Sequence, residues 1–136
     1  MRLSVRLARE TLEGIEELKK AISVEPVYKG LRITNGFVVD KAFNETSDYN
    51  NREWEQVIKS NRTPNEELEK DKLEVKTNLI LNKQTVKGIN HLKEIFPSLD
   101  VLSVSYVTNS YVIRQIVKGA LLKHDEEQRS WLLKMI

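Results

Sequence analysis

This chain predicts a mainly α-helical fold with one two-stranded antiparallel β-ribbon, built from two copies of a strand-helix-helix unit about a pseudo-twofold axis. Three observations carry that prediction. The first is a repeat. A shift of 74 positions lays residues 2–45 on residues 76–119 without a gap. Ten of the 44 pairs are identical: Leu7/Leu81, Thr11/Thr85, Gly14/Gly88, Ile15/Ile89, Leu18/Leu92, Lys19/Lys93, Val27/Val101, Thr34/Thr108, Asn35/Asn109 and Val38/Val112. Composition alone gives roughly one match in sixteen, about three in all. A long gapless register is the mark of an internal duplication. The second observation is period-two alternation at the start of each copy. The third is a helical pattern after it, followed by a Thr-Asn pair and a second apolar helix.

The alternation defines two faces of a strand. In residues 1–8, Leu3, Val5 and Leu7 fall on one side and Arg2, Ser4 and Arg6 on the other. In the second copy Val75, Thr77, Leu79 and Leu81 form the inner set, and Lys76, Asn78 and Ile80 the outer set. A helix over 9–22 follows from Leu12, Ile15, Leu18 and Ile22, and its counterpart from Val86, Ile89, Leu92 and Phe96. Gly14 and Gly88 sit in the middle of these helices, where close helix packing explains a residue that otherwise costs about 1 kcal/mol. Residues 23–32 hold Pro26 and Gly30 and read as loop. Their counterpart 97–106 alternates, so both stretches are open between loop and extra strand. Thr34 and Asn35, like Thr108 and Asn109, are N-cap types for the second helix. Phe37, Val38 and Ala42 mark its buried stripe in one copy, and Tyr111, Val112, Ile116 and Ala120 in the other.

One unit cannot close a core, because its strand lacks a partner and its helices cover little. Two units solve both problems when the strands pair antiparallel. At this point the sequence resembles the ribbon-helix-helix family of DNA-binding proteins. It is most similar to the tandem, single-chain form found among plasmid conjugation accessory proteins, and more distantly to ribbon-helix-helix repressors. The resemblance covers 2–45 and 75–121 and implies sequence-specific binding of double-stranded DNA, in a transcriptional repressor or in a plasmid or mobile-element accessory factor for partition or the relaxosome. It implies that the turns Thr34-Asn35-Gly36 and Thr108-Asn109-Ser110 grip backbone phosphates. The family joins its two helices by a shorter turn than either copy has here.

The residues point to the same partner by a separate route. A two-stranded ribbon fits the major groove, where Arg or Lys contacts guanine and Asn contacts adenine. That makes Arg2, Ser4, Arg6, Lys76, Asn78 and Ile80 the base-reading candidates, Ile80 through a thymine methyl. A helix start offers free amides and a positive dipole end to an anion. Arg9 and Lys83, with Lys29, Arg32 and Arg114, are flanking cations suited to phosphate. The two outer sets differ, so a non-palindromic site is expected.

Composition bounds the rest. The chain has 136 residues, no cysteine and a net charge of +2. Residues 46–75 carry net −3, from 5 basic and 8 acidic groups, while 76–136 carry net +4, from 9 and 5. No apolar run approaches the roughly 18 residues of a membrane span, and the alternating start does not read as a secretory signal. A cytoplasmic protein without membrane contact is expected. His91 and His124 are the only histidines and have no metal-ligand companions in sequence. There is no Gly-rich phosphate loop and no Gly-x-Ser-x-Gly. Neither catalytic residues, nor a metal, nor a cofactor is expected.

The domain plan is one domain over 1–136, with repeats 1–45 and 75–121. A helical connector spans 46–74, with Trp54, Val57 and Ile58 on one helix and a second, acidic helix from Thr63-Pro64 to about Asp71. A helical extension spans 122–136, with Trp131, Leu132, Leu133 and Ile136 as an apolar face expected to fold back on the core or on Trp54. A second reading makes the chain a protein-interaction module that binds a partner, or another copy of itself, through the central and C-terminal helices.

Overall fold

Alternation pairs the two strands and turns one face of the ribbon into the core. The computed structural model describes residues 1–65 and 74–135. β1 (Arg2–Ala8) lies antiparallel to β2 (Glu74–Ile80), with Arg2 opposite Ile80, Ser4 opposite Asn78 and Arg6 opposite Lys76. Ser4 therefore faces the residue 74 positions on. Val5, Leu7 and Leu79 are buried, and Leu3, Val75 and Thr77 are half-buried. The alternate residues are exposed, except Ala8 at the end of β1, which is half-buried.

Five helices complete the described residues. α1 (Arg9–Ser23) follows β1 directly and buries Thr11, Gly14, Ile15, Leu18 and Ile22. α2 (Asn35–Thr46) buries Gly36, Val38, Val39, Ala42 and Thr46. α3 (Asn51–Lys59) starts in a capping box, where Asn50 and Glu53 each accept the other's backbone amide at 2.9 and 3.1 Å. α4 (Lys83–Ile95) is capped by Asn82, whose Oδ1 accepts from the Thr85 amide at 2.9 Å. α5 (Asn109–Met135) touches each of α1 to α4 and β1. Its buried stripe of Val112, Ile113, Ile116, Val117, Ala120 and Leu121 is the centre of the core.

The mid-helix glycines mark close approaches. A Cβ on Gly14 would lie 2.8 Å from Val117, and one on Gly88 would lie 2.1 Å from the ring of Phe43. Residues 43 and 117 also stand 74 apart, so α1 meets α5 as α4 meets α2.

Four expectations need correction or closing. Residues 23–32 and 97–106 form no strand: the connections carry the 3-10 turns Pro26–Tyr28 and Phe96–Ser98 and are otherwise loop. Phe37 is not in the buried stripe. It sits at the rim, 36% exposed, with its ring edge-on to Tyr28 at 5.4 Å. The acidic helix expected from Thr63-Pro64 is not present over 60–65, and its remainder lies outside the described residues. The C-terminal segment does not fold back. α5 runs on as one helix, and every residue from Glu126 to Met135 is exposed. The place it was expected to cover is already filled. Trp54 is 3% exposed, edge-on to Tyr49 at 5.3 Å and to Phe96 at 5.4 Å.

Polar contacts hold α5 up to residue 125. The Arg62 guanidinium donates from Nε and Nη2 to Asp125 at 2.9 and 3.1 Å, and from Nη1 and Nη2 to Glu17. The Asn65 amide donates to the same Glu17 carboxylate at 2.6 Å. Burial alone would push the Glu17 carboxyl up, but the Arg62 and Asn65 hydrogen bonds pull it below its ordinary value. This fork ties α1, the connector and α5 at one point. Removing one partner of such a group leaves the other charges partly desolvated. Arg62→Ala is therefore expected to destabilise the fold by about 2 kcal/mol, because the carboxylates are only partly enclosed and regain some water. Urea denaturation measures this, and Glu17→Gln should lose less.

The same turn adds a pH-dependent contact. Lys123 Nζ donates to the Glu45 carbonyl at 2.8 Å, and His124 Nε2 lies 3.0 Å from the Glu45 carboxylate. That hydrogen bond raises the His124 pKa against the opposing effect of burial. Glu127 adds to the rise and Lys41 opposes it. A raised folded-state pKa gives stability that is complete below the unfolded value, about 6.5, and is lost as pH climbs through the folded value. The stability difference between wild type and His124→Gln should thus be largest near pH 6 and shrink towards pH 9. A difference independent of pH over that window would deny the imidazolium–carboxylate contact.

Candidate nucleic-acid interface

The exposed ribbon face carries three cross-strand pairs in a row: Arg2 with Ile80, Ser4 with Asn78, and Arg6 with Lys76. Ser4 Oγ donates to Asn78 Oδ1 at 2.5 Å, which orients the amide and leaves its nitrogen pointing at no protein group. Arg6 and Lys76 are like charges directly opposite each other, an arrangement that costs stability in a ribbon. Among the described residues Arg2, Arg6 and Lys76 have no carboxylate within ion-pair distance. Three arginines elsewhere do: Arg9 with Glu13, Arg62 with Glu17 and Asp125, and Arg114 with Glu10, whereas Arg32, Arg52 and Arg129 stand without one among the described residues. Ile80 is 73% exposed in the same row. Three cations without an ion pair thus stand together on one ribbon face, with the exposed Glu74 at its end.

A helix start stands at each end of the ribbon. Gly36, at the start of α2, is buried against the backbone of Ile80. Ser110, its counterpart at the start of α5, donates from Oγ to the Arg6 carbonyl at 2.6 Å. Thr34 caps α2 by accepting the Phe37 amide at 3.1 Å, and Thr108 caps α5 by accepting the Tyr111 amide at 3.1 Å. The Asn residues beside them do not cap. Asn35 Oδ1 accepts from Lys19 Nζ at 2.8 Å, and Asn109 Oδ1 is buried without a partner among the described residues. The Thr hydroxyl occupies the capping position, so the Asn side chain is already inside the first turn.

The two ends differ in charge. Beside α2 a cleft of about 360 Å³ is lined by Lys19, Arg32, Thr34, Asn35, Asn78 and Ile80 among others. It joins the helix start to the ribbon face and brings Arg32 to that junction, together with Lys19, which is shared with Glu16 at 3.2 Å. Beside α5 a shallower groove of about 580 Å³ is formed by 102–108 and Tyr111, with Tyr106 and Val104 exposed. In the 74-residue register Tyr106 takes the place of Arg32. Lys83, at the start of α4, and Lys29 are exposed. Arg9 and Arg114 are each drawn to a glutamate and are less available than sequence alone suggests.

Sequence reasoning found the ribbon face and both Thr caps. It missed Lys19 as part of the α2 cleft, although Lys19/Lys93 is one of the identical pairs, because helical spacing alone reads it as a C-terminal cation. Among the described residues no group of His, Asp or Glu has the arrangement of a metal site, and no helix is long and apolar enough to cross a membrane. Compared with known proteins, the chain matches no family model, no curated protein and no solved structure.

Proposed function

We propose that this chain is a duplex-DNA-binding protein that reads sequence with its β-ribbon and holds phosphates with the starts of α2 and α5. The observation that carries this reading is the row of unpaired cations on the exposed ribbon face, set between two helix starts. A ribbon of two strands about 4.8 Å apart, with side chains projecting, suits a major groove about 12 Å wide. The helix starts then lie along the groove walls, where amides and the positive dipole end favour phosphate. Arg32 strengthens that grip at the α2 end, and Lys19 adds to it less because Glu16 holds it at 3.2 Å.

The chain reads further as a fused pair of ribbon-helix-helix units about a pseudo-twofold axis between Ser4 and Asn78. Three reciprocal contacts support this. Ser4 pairs with Asn78, its counterpart in the 74-residue register. Gly14 packs on Val117 as Gly88 packs on Phe43. Gly36 packs on Ile80 as Ser110 bonds to Arg6. The fused pair carries two different strands, so its preferred site is non-palindromic. A repressor and a plasmid or mobile-element accessory factor both use such binding, and neither needs a catalytic residue.

The test is selection of bound sequences from a random duplex pool. One asymmetric consensus is expected, with affinity falling steeply as salt rises. Recovery of no consensus, or no shift of any duplex at low salt, would reject the reading. For the rival reading, a protein-interaction module, the central helix does not offer Trp54, which is 3% exposed. The C-terminal part of α5 is a different matter.

A further inference from the structure

We propose that residues 126–135 of α5 pair antiparallel with the same segment of a second copy of this chain. The segment is about 15 Å of helix that no described residue of its own chain covers, from Glu126 onward. It begins one residue beyond the Arg62–Asp125 anchor, so it is held rigidly at its base. Gln128, Trp131, Leu132 and Met135 fall at helical i, i+3, i+4 and i+7 spacing and make one stripe. Trp131 is 60% exposed, Leu132 56% and Met135 68%. A contiguous apolar stripe on an otherwise charged helix marks an interaction surface.

Charge selects the occupant. Asp125, Glu126 and Glu127 lie at the base of the segment, and Arg129 and Lys134 lie towards its tip. Among the described residues Glu126, Glu127, Arg129 and Lys134 have no ion-pair partner. Glu127 and Lys134 are seven residues apart and so flank the same edge of the stripe. An antiparallel crossing near Ser130 sets Glu127 of each copy beside Lys134 of the other, twice by symmetry. A parallel pairing would leave Lys134 with no carboxylate of the partner at its own level, because the carboxylates all lie at the base of the segment. The antiparallel arrangement also leaves the two folded bodies at opposite ends of the overlap.

The buried surface is small for a stable interface, well under the standard size of about 1,600 Å². The dimer should therefore be weak, with a dissociation constant on the order of 100 μM, and Trp131 should dominate it. The experiment is sedimentation equilibrium of the full chain without DNA, up to about 1 mM. A concentration-dependent dimer is expected. Trp131→Ala should weaken it about tenfold or more. Glu127→Lys and Lys134→Glu should each weaken it, and the double exchange should restore it to within about threefold of wild type. All three positions are exposed, so circular dichroism should show an unchanged fold. A monomer at every concentration would overturn the proposal. So would a dimer indifferent to Trp131→Ala, or one that the double exchange fails to restore. None of these outcomes bears on DNA binding, which is measured separately on the monomer.

Discussion

Gly36→Ala is expected to cost more than about 3 kcal/mol of stability, a large effect for one methyl group. A Cβ at this position would lie 2.3 Å from the carbonyl oxygen of Ile80 and 3.0 Å from its nitrogen. These are backbone atoms of a paired strand and cannot turn aside as a side chain can. α2 must back away from β2, which loosens the packing around Val38 and Val39, both fully buried. Gly88 offers the contrast. Its Cβ would meet only the ring of Phe43, which has some freedom to shift. Gly30→Ala is a control of another kind. Gly30 has φ of 82° with nothing within 4 Å of its Cβ position, so the cost is backbone strain alone, roughly 1–2 kcal/mol. Urea denaturation of the two variants should separate them clearly. A loss at Gly36 no greater than that at Gly30 would mean that α2 does not approach the ribbon this closely. Because the same contact sets the α2 start beside Asn78 and Ile80, DNA affinity should fall with it.

What the sequence made legible is what local pattern controls. Period-two alternation fixes which side chains of β1 and β2 face solvent, because a one-residue slip would bury Arg2, Arg6 and Lys76. Thr34 and Thr108 announce their helices because capping is decided within four residues. The repeat made the partner of each strand predictable. Contacts between distant, unlike residues were not legible. Arg62 joins Glu17, 45 positions back, to Asp125, 63 positions on, and no spacing rule connects them. The connector lies outside the repeat, so the 74-residue register says nothing of it either. The C-terminal segment misled for a different reason. An apolar stripe shows that a helix face wants cover but not whose surface covers it. Tyr49 and Phe96 had already enclosed Trp54.

Arg6→Ala and Asn78→Ala should each weaken binding to the selected DNA site by about 1–3 kcal/mol, and weaken binding to random duplex much less. The steps from residue to effect are alternation, pairing and exposure. Alternation places both side chains opposite Val5, Leu7 and Leu79. Pairing sets Arg6 beside Lys76 and Asn78 beside Ser4, so all four project from one face. Exposure without a carboxylate partner leaves the guanidinium free to meet the O6 and N7 of a guanine. Asn78 keeps its amide nitrogen free while Ser4 holds its oxygen, an orientation suited to donating towards an adenine N7. Ser4→Ala should then lower specificity at the same base as Asn78→Ala, by a smaller amount, because the amide loses its orienting contact but not its donor. Each variant is titrated against the selected site and against random duplex at the same salt, since phosphate contacts dominate at low salt and mask the difference. The stability of the variants should be close to wild type, because none of these side chains is in the core. An equal loss on both duplexes would make Arg6 and Asn78 phosphate contacts and shift sequence reading elsewhere. No loss on either duplex would end the idea that this ribbon enters a groove.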